Sequence, residues 1–117
     1  MSEAENPALG VDPERVAAWL LEDPALQLID VREAYERDAG RIAGSRHIEL
    51  TTLPSEAATL DGERPVVFYC RVGSRSTMAA QALRAAGIEA YSMDGGLLRW
   101  AQEQRPLDPP DGRVAEH

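Results

Sequence analysis

Residues 66–70, Val-Val-Phe-Tyr-Cys, run for five positions without a charge and are rich in β-branched and aromatic side chains. A strand that is apolar on both faces needs cover on both faces. Parallel sheets flanked by helices supply it, and antiparallel sheets commonly leave one face to water. The residues that follow tighten the constraint. Arg71-Val72-Gly73 makes a glycine-bearing turn, and residues 76–87, "STMAAQALRAAG", read as a helix stopped by Gly87. On that helix Ala79, Ala82, Leu83 and Ala86 are expected to share the buried face. Strand, tight turn and helix in direct succession form the first half of a βαβ unit.

The same grammar recurs along the chain. In "VDPERVAAWLLEDP", Asp12 is placed to cap a helix and Pro13 suits its first position. Val16, Trp19 and Leu20 fall on one face, and Asp23-Pro24 ends it. "QLIDV" (27–31) reads as a buried strand and "REAYERDAG" (32–40) as a short helix with a glycine stop. Ile42, Ile48 and Leu50 anchor a less regular stretch in which Gly44 marks a tight passage; "TTLPSEAATL" (51–60) reads as a helix and "DGERP" as a turn. "IEAYSM" (88–93) is a further strand, "DGG" a turn, and "LLRWAQEQRP" a last helix ended by Pro106. Trp19 and Trp100 are expected in the core. The expected class is therefore α/β, a mainly parallel sheet with helices on both faces. One domain over residues 11–107 is expected, between a flexible segment at 1–10 and a mobile tail at 108–117.

Charge narrows the function classes. Twelve basic against twenty acidic residues leave a net charge of −8, which argues against nucleic acid or an anionic membrane as the main partner. A small anionic substrate stays open, because a local arginine pair can dominate a pocket once distant charges are screened. One cysteine cannot close an intrachain disulfide, and with only two histidines the chain has no zinc-ligand spacing. No metal and no cofactor are expected. "MSEAENPALG" has neither a basic nor an apolar leader region, and nothing approaches the ~20 apolar residues of a membrane span. A cytoplasmic, monomeric protein is the expectation.

Cys70 lies where an open α/β sheet binds ligands, at the carboxyl end of a strand and just before a helix. A lone cysteine at a strand end is commonly an inert core residue. A core residue, however, does not need Arg71, Val72, Gly73, Ser74, Arg75 and Ser76 behind it. Helix N-termini carry unpaired N–H groups and a partial positive charge, a glycine lets amides curl round an anion, and no proline removes a donor between residues 70 and 76. Such a setting stabilises a thiolate, the nucleophilic form. Arg75 is placed to brace the loop backbone and Arg71 to face the entrance.

"CRVGSRS" resembles the active-site loop of the single-domain rhodaneses, which are sulfurtransferases. "LIDVREAYERDAGRIAGSRHIEL" is similar to that family's upstream motif, with Asp30-Val31-Arg32 and Ile42-x-Gly44, and "MDGGLLRWAQEQRPL" resembles its downstream Gly-Gly…Trp…Pro segment. The resemblance implies the three-layer rhodanese-like fold and a persulfide mechanism. Cys70 takes a sulfane sulfur from an anionic donor such as thiosulfate, the amides of Arg71 to Ser76 hold it, and cyanide, a thiol or a protein acceptor removes it. Asp30 and Arg32 are expected to order loops rather than to react, and His47 to be a satisfied or surface histidine. Arg41 stands where the family often has His, and Ser45 where it often has Ala; both are expected at the rim, bearing on substrate preference. Two rivals remain. Related phosphatases and arsenate reductases bracket five residues between cysteine and arginine, whereas Cys70 and Arg75 bracket four, a cradle sized for one sulfur atom. A sulfur carrier serving a protein partner shares the chemistry and differs in turnover.

Overall fold

In the computed structural model, which describes residues 8–117, the apolar run becomes the middle strand of a five-stranded sheet. The strands are β1 (Gly10–Val11), β2 (Gln27–Asp30), β3 (Arg46–His47), β4 (Val66–Tyr69) and β5 (Ala90–Met93), in spatial order β1-β5-β4-β2-β3, and every pairing is parallel. The helices are α1 (Pro13–Glu22), α2 (Ala34–Ala39), α3 (Leu53–Glu56), α4 (Ser74–Ala85) and α5 (Gly96–Gln102).

Side chains of a strand alternate between faces, and β4 sorts accordingly. Val66, Phe68 and Cys70 join one buried cluster with Ile29, Val31, Ala79, Ala80 and Leu83; Val67 and Tyr69 join the other, with Val16, Tyr91, Leu97 and Trp100. Thus α4 covers one face and α1 with α5 the other. Each fully buried Val, Leu or Phe contributes roughly 1.5–3 kcal/mol of burial. Helix α1 starts as its sequence dictates: the Arg15 amide donates to Asp12 Oδ1 at 2.8 Å, and Pro13 occupies the first turn.

Several expectations need correcting. Strands β1 and β3 were not foreseen; at two residues each they are too short to carry a period. Residues 51–60 are not one helix but a chain of single turns, with 3₁₀ turns at Leu50–Thr52 and Ala57–Thr59 flanking α3. The buried side of α4 is Ser76, Ala79, Ala80 and Leu83, whereas Ala82 and Ala86 face solvent. Gly44 is not crowded; it is required by a φ of 84° in open space. Residues 1–7 of the expected flexible segment lie outside the described residues, and Gly10 is already in the sheet. The tail expected to be mobile is tied down instead. Arg41 and Asp108 exchange backbone hydrogen bonds, the Arg113 amide donates to Ala39 O at 2.8 Å, and Ala115 is buried. Gly40 permits this approach, since a Cβ there would stand 2.4 Å from Arg113 O. Among the described residues no helix is long and apolar enough to cross a membrane.

Candidate active site

Cys70 is the last apolar residue of the β4 run and is fully buried. Its sulfur accepts hydrogen bonds from two backbone amides, Gly73 N at 3.0 Å and Ser76 N at 3.4 Å, and lies 3.5 Å from Ser76 Oγ. The turn that permits this passes through Gly73 at φ 118°, which caps the twelve-residue α4. Of the amides from Arg71 to Ser76, all of which the sequence offers to the cradle, Gly73 and Ser76 reach Sγ, because the turn closes on the sulfur at its glycine and at the first turn of the helix.

A line of hydroxyls continues from the sulfur. Ser76 Oγ lies 2.8 Å from Ser92 Oγ on β5 and 3.2 Å from Gly73 O, and Thr77 Oγ1 donates to Gly73 O at 2.7 Å. When Cys70 is a thiolate it needs donors. Ser76 can turn its single proton to the sulfur while Ser92 donates to Ser76. Ser92 was missed in the sequence, since a serine in a strand carries no signal of a neighbour sixteen positions away.

The two arginines have different surroundings. Arg75 does not brace the loop backbone; it crosses to α2 and clasps Glu36 through two bonds, of 2.8 and 3.0 Å. Glu36 is fully buried, and Oε1 also accepts from the Glu33 amide at 3.1 Å. Burial pushes the Glu36 carboxyl up, but the Arg75 hydrogen bonds and charge outweigh it and hold the group below its ordinary value. The Arg75 guanidinium is raised in return, chiefly by its bond to Glu36. Arg71, the next residue after Cys70, keeps a buried Nε without a hydrogen-bond partner. Val72 is half-exposed and Ser74 exposed, on the outer side of the turn.

The loop is also held by its carbonyls. At the start of α5, Leu97 N donates to Cys70 O at 2.8 Å and Leu98 N to Arg71 O at 3.0 Å. Gly96, at φ 62°, makes room: a Cβ there would lie 2.4 Å from Arg71 O and 2.6 Å from Cys70 O.

Asp30 and Arg32 form a fully buried pair, with Nε to Oδ1 at 2.8 Å and Nη2 to Oδ2 at 2.7 Å, and Arg32 also donates to Gly40 O. Asp30 is the register partner of Tyr69, and the Arg32 guanidinium lies 5.6 Å from the Tyr69 ring. Tyr69 points to the face opposite Cys70, so the pair orders the β2–α2 connection from the other side of the sheet. The Tyr69 phenol is pushed up to about 12 by burial and by the Asp30 charge. His47 is satisfied by Arg32 O at 2.7 Å. Ser45 and Arg41 are not at the rim of the cradle. Ser45 Oγ bonds Tyr69 Oη and Arg37, and Arg41 pairs with Asp108 of the C-terminal segment.

The fold and the site together are a parallel α/β domain that holds the sulfur of a buried cysteine against backbone amides at a helix N-terminus. The chain belongs to the rhodanese-like domain family, whose model matches residues 12–103. It is 33% identical over 91 residues to the thiosulfate sulfurtransferase GlpE of Stutzerimonas stutzeri, covering 77% of this chain and 82% of that one. A rhodanese-related protein from Thermoplasma volcanium superposes with a TM-score of 0.74 at 28% identity, covering 86% of this chain and 97% of its own. The HTH-type transcriptional regulator Rv0324 of Mycobacterium tuberculosis is 39% identical over 84 residues, and there the match spans only 37% of the relative's length.

Proposed function

We propose that the protein is a sulfurtransferase that carries a sulfane sulfur as a persulfide on Cys70. The observation that carries the reading is the pair of amide donors, Gly73 and Ser76, aimed at a buried sulfur at the head of α4. Cys70 thiolate attacks the outer sulfur of a donor such as thiosulfate. The Sγ–S bond forms, the donor's S–S bond breaks, and its electron pair leaves with sulfite. The persulfide then meets the same fixed dipoles that held the thiolate, so little reorganisation is needed between the two half-reactions. A thiol or cyanide takes the outer sulfur and returns the thiolate.

The phosphatase alternative is disfavoured twice. Four residues separate Cys70 from Arg75. The Arg75 guanidinium, which an oxyanion would need, is already committed to the buried Glu36. Incubation with thiosulfate followed by intact mass measurement should add one sulfur atom, removable by cyanide or dithiothreitol and absent in Cys70→Ser. An unchanged mass after thiosulfate, mercaptopyruvate and cysteine persulfide would refute the reading.

A further inference from the structure

Ser92 puts a hydroxyl on a strand face whose other residues are apolar. It is the register partner of Phe68 on β4, so it faces the layer that holds Cys70, and it is 2% exposed. The buried cluster of that layer includes Phe68, Ala79, Ala80 and Ala90. A buried hydroxyl is costly unless it is bonded. That of Ser92 meets two oxygens, Ser76 Oγ at 2.8 Å and Thr77 Oγ1 at 3.4 Å.

The protons available give this line of hydroxyls a direction. Gly73 O accepts from the Thr77 amide at 3.0 Å and from Thr77 Oγ1 at 2.7 Å, which occupies both of its lone pairs. Its contact with Ser76 Oγ, at 3.2 Å, is the longest of the three. Thr77 spends its one hydroxyl proton on that carbonyl. The Ser92 proton goes to its nearest acceptor, Ser76 Oγ, and the Ser76 proton is left for Cys70 Sγ, 3.5 Å away. Ser76 and Cys70 are both fully buried, so bulk water does not substitute for Ser92 at the head of the line.

Resting on the persulfide reading, we propose that Ser92 is a positioning residue: by donating to Ser76 it turns the Ser76 hydroxyl onto Sγ, and so favours the discharge of sulfur over its uptake. In uptake the Sγ thiolate gives an electron pair to the outer sulfur of thiosulfate, the donor's S–S bond breaks, and sulfite leaves with that bond's pair. Negative charge departs from Sγ. In discharge to cyanide the carbon lone pair forms a C–S bond to the outer sulfur. The bond between that sulfur and Sγ breaks, its pair returns to Sγ as thiolate, and thiocyanate leaves. With the persulfide as an anion, no proton enters or leaves in either step. A hydroxyl that donates to Sγ stabilises charge there. It makes the sulfur a weaker nucleophile in the first step and a better leaving group in the second. Ser92 touches none of the reacting atoms and acts through Ser76.

The test separates the two half-reactions. Wild type, Ser92→Ala, Ser76→Ala and the double variant are loaded with thiosulfate in a single turnover and then discharged with cyanide, both rates being followed by intact mass after rapid quenching. Each rate is taken on the alkaline plateau of that variant's own profile, where the thiolate is fully formed. Ser92→Ala should load roughly 1.5- to 3-fold faster and discharge more slowly by a similar factor. The ratio of the two rates then rises about two- to tenfold, the worth of one hydrogen bond shared between two transition states midway in charge. A slackened loop would instead slow both steps together. In the Ser76→Ala background Ser92→Ala should shift the ratio no further, because its route to the sulfur is gone. Both rates falling together in Ser92→Ala, an unchanged ratio, or an undiminished effect in the Ser76→Ala background overturns the assignment of Ser92. Failure of the wild-type Cys70 to load overturns the persulfide reading itself.

Discussion

The Arg75–Glu36 clasp ties the first turn of α4 to α2, and Glu36→Gln tests it. The substitution keeps shape and one acceptor oxygen but removes the charge on which two guanidinium bonds and one amide bond converge. Removing one partner of a fully buried ion pair costs about 3–5 kcal/mol. Arg75 keeps some contact with solvent, its side chain being 16% exposed. Glutamine also retains a bond, so about 2–3 kcal/mol is expected at pH 7. For a domain of this size that is a fall in Tm of roughly 8–12 °C.

The pH dependence is the sharper readout. Glu36 is held below its ordinary value of 4.5 in the folded state. Its contribution is therefore complete above that value and disappears as pH falls through the lower folded one. Urea titrations of wild type and variant, from pH 7 to pH 3, should give stability curves that converge on the acid side. A difference that stays constant across that range, or one below about 0.5 kcal/mol at pH 7, would show that the clasp carries no net charge stabilisation.

Three further outcomes follow from the same geometry. Gly96→Ala drives a Cβ into the carbonyls of Arg71 and Cys70 at an unfavourable φ and should cost at least ~2 kcal/mol and slow sulfur uptake together; a neutral effect in a denaturant melt with unchanged uptake would contradict the contact. Asp30→Ala leaves Arg32 buried without its carboxylate, so a loss of about 3–5 kcal/mol is expected by chemical denaturation, while any protein that folds should still form the Cys70 persulfide by mass. Arg71→Ala should lower kcat/KM for thiosulfate about ten- to a hundredfold, through KM more than kcat; equal damage with an uncharged persulfide donor would remove Arg71 from any role in meeting the donor's charge.

What the sequence carried was local. The Val66–Cys70 run, Gly73 and the alanine-rich helix lie within one strand–turn–helix passage, and apolar pattern and glycine position specify them without a distant partner. The features it hid depend on separation. Glu36 meets Arg75 across 39 positions, and Ser92 meets Ser76 across sixteen. Nothing in "EAYERD" distinguishes Glu36 from its acidic neighbours, because burial is conferred by the fold that covers it. Residues 108–117 looked free because they lack a periodic apolar pattern. They are held largely by backbone bonds at Asp108 and Arg113 and by the small side chain of Ala115, none of which a hydrophobic period reveals.

The grip of α5 on the carbonyls of Cys70 and Arg71 bears on how size discrimination arises. The loop's sulfur-facing amides are occupied by Cys70 and its outward carbonyls by the first residues of α5. It cannot widen to admit a larger group without unwinding the start of a helix whose Leu97 and Trp100 are embedded in the opposite layer. On the proposed persulfide reading, the tolerance of the cradle is then set by the rigidity of the domain rather than by the seven residues that form it. On that reading selectivity and global stability are one property. Urea well below the unfolding midpoint, or a cavity cut at Trp100, should blur discrimination between sulfur and bulkier groups before it abolishes reaction at Cys70.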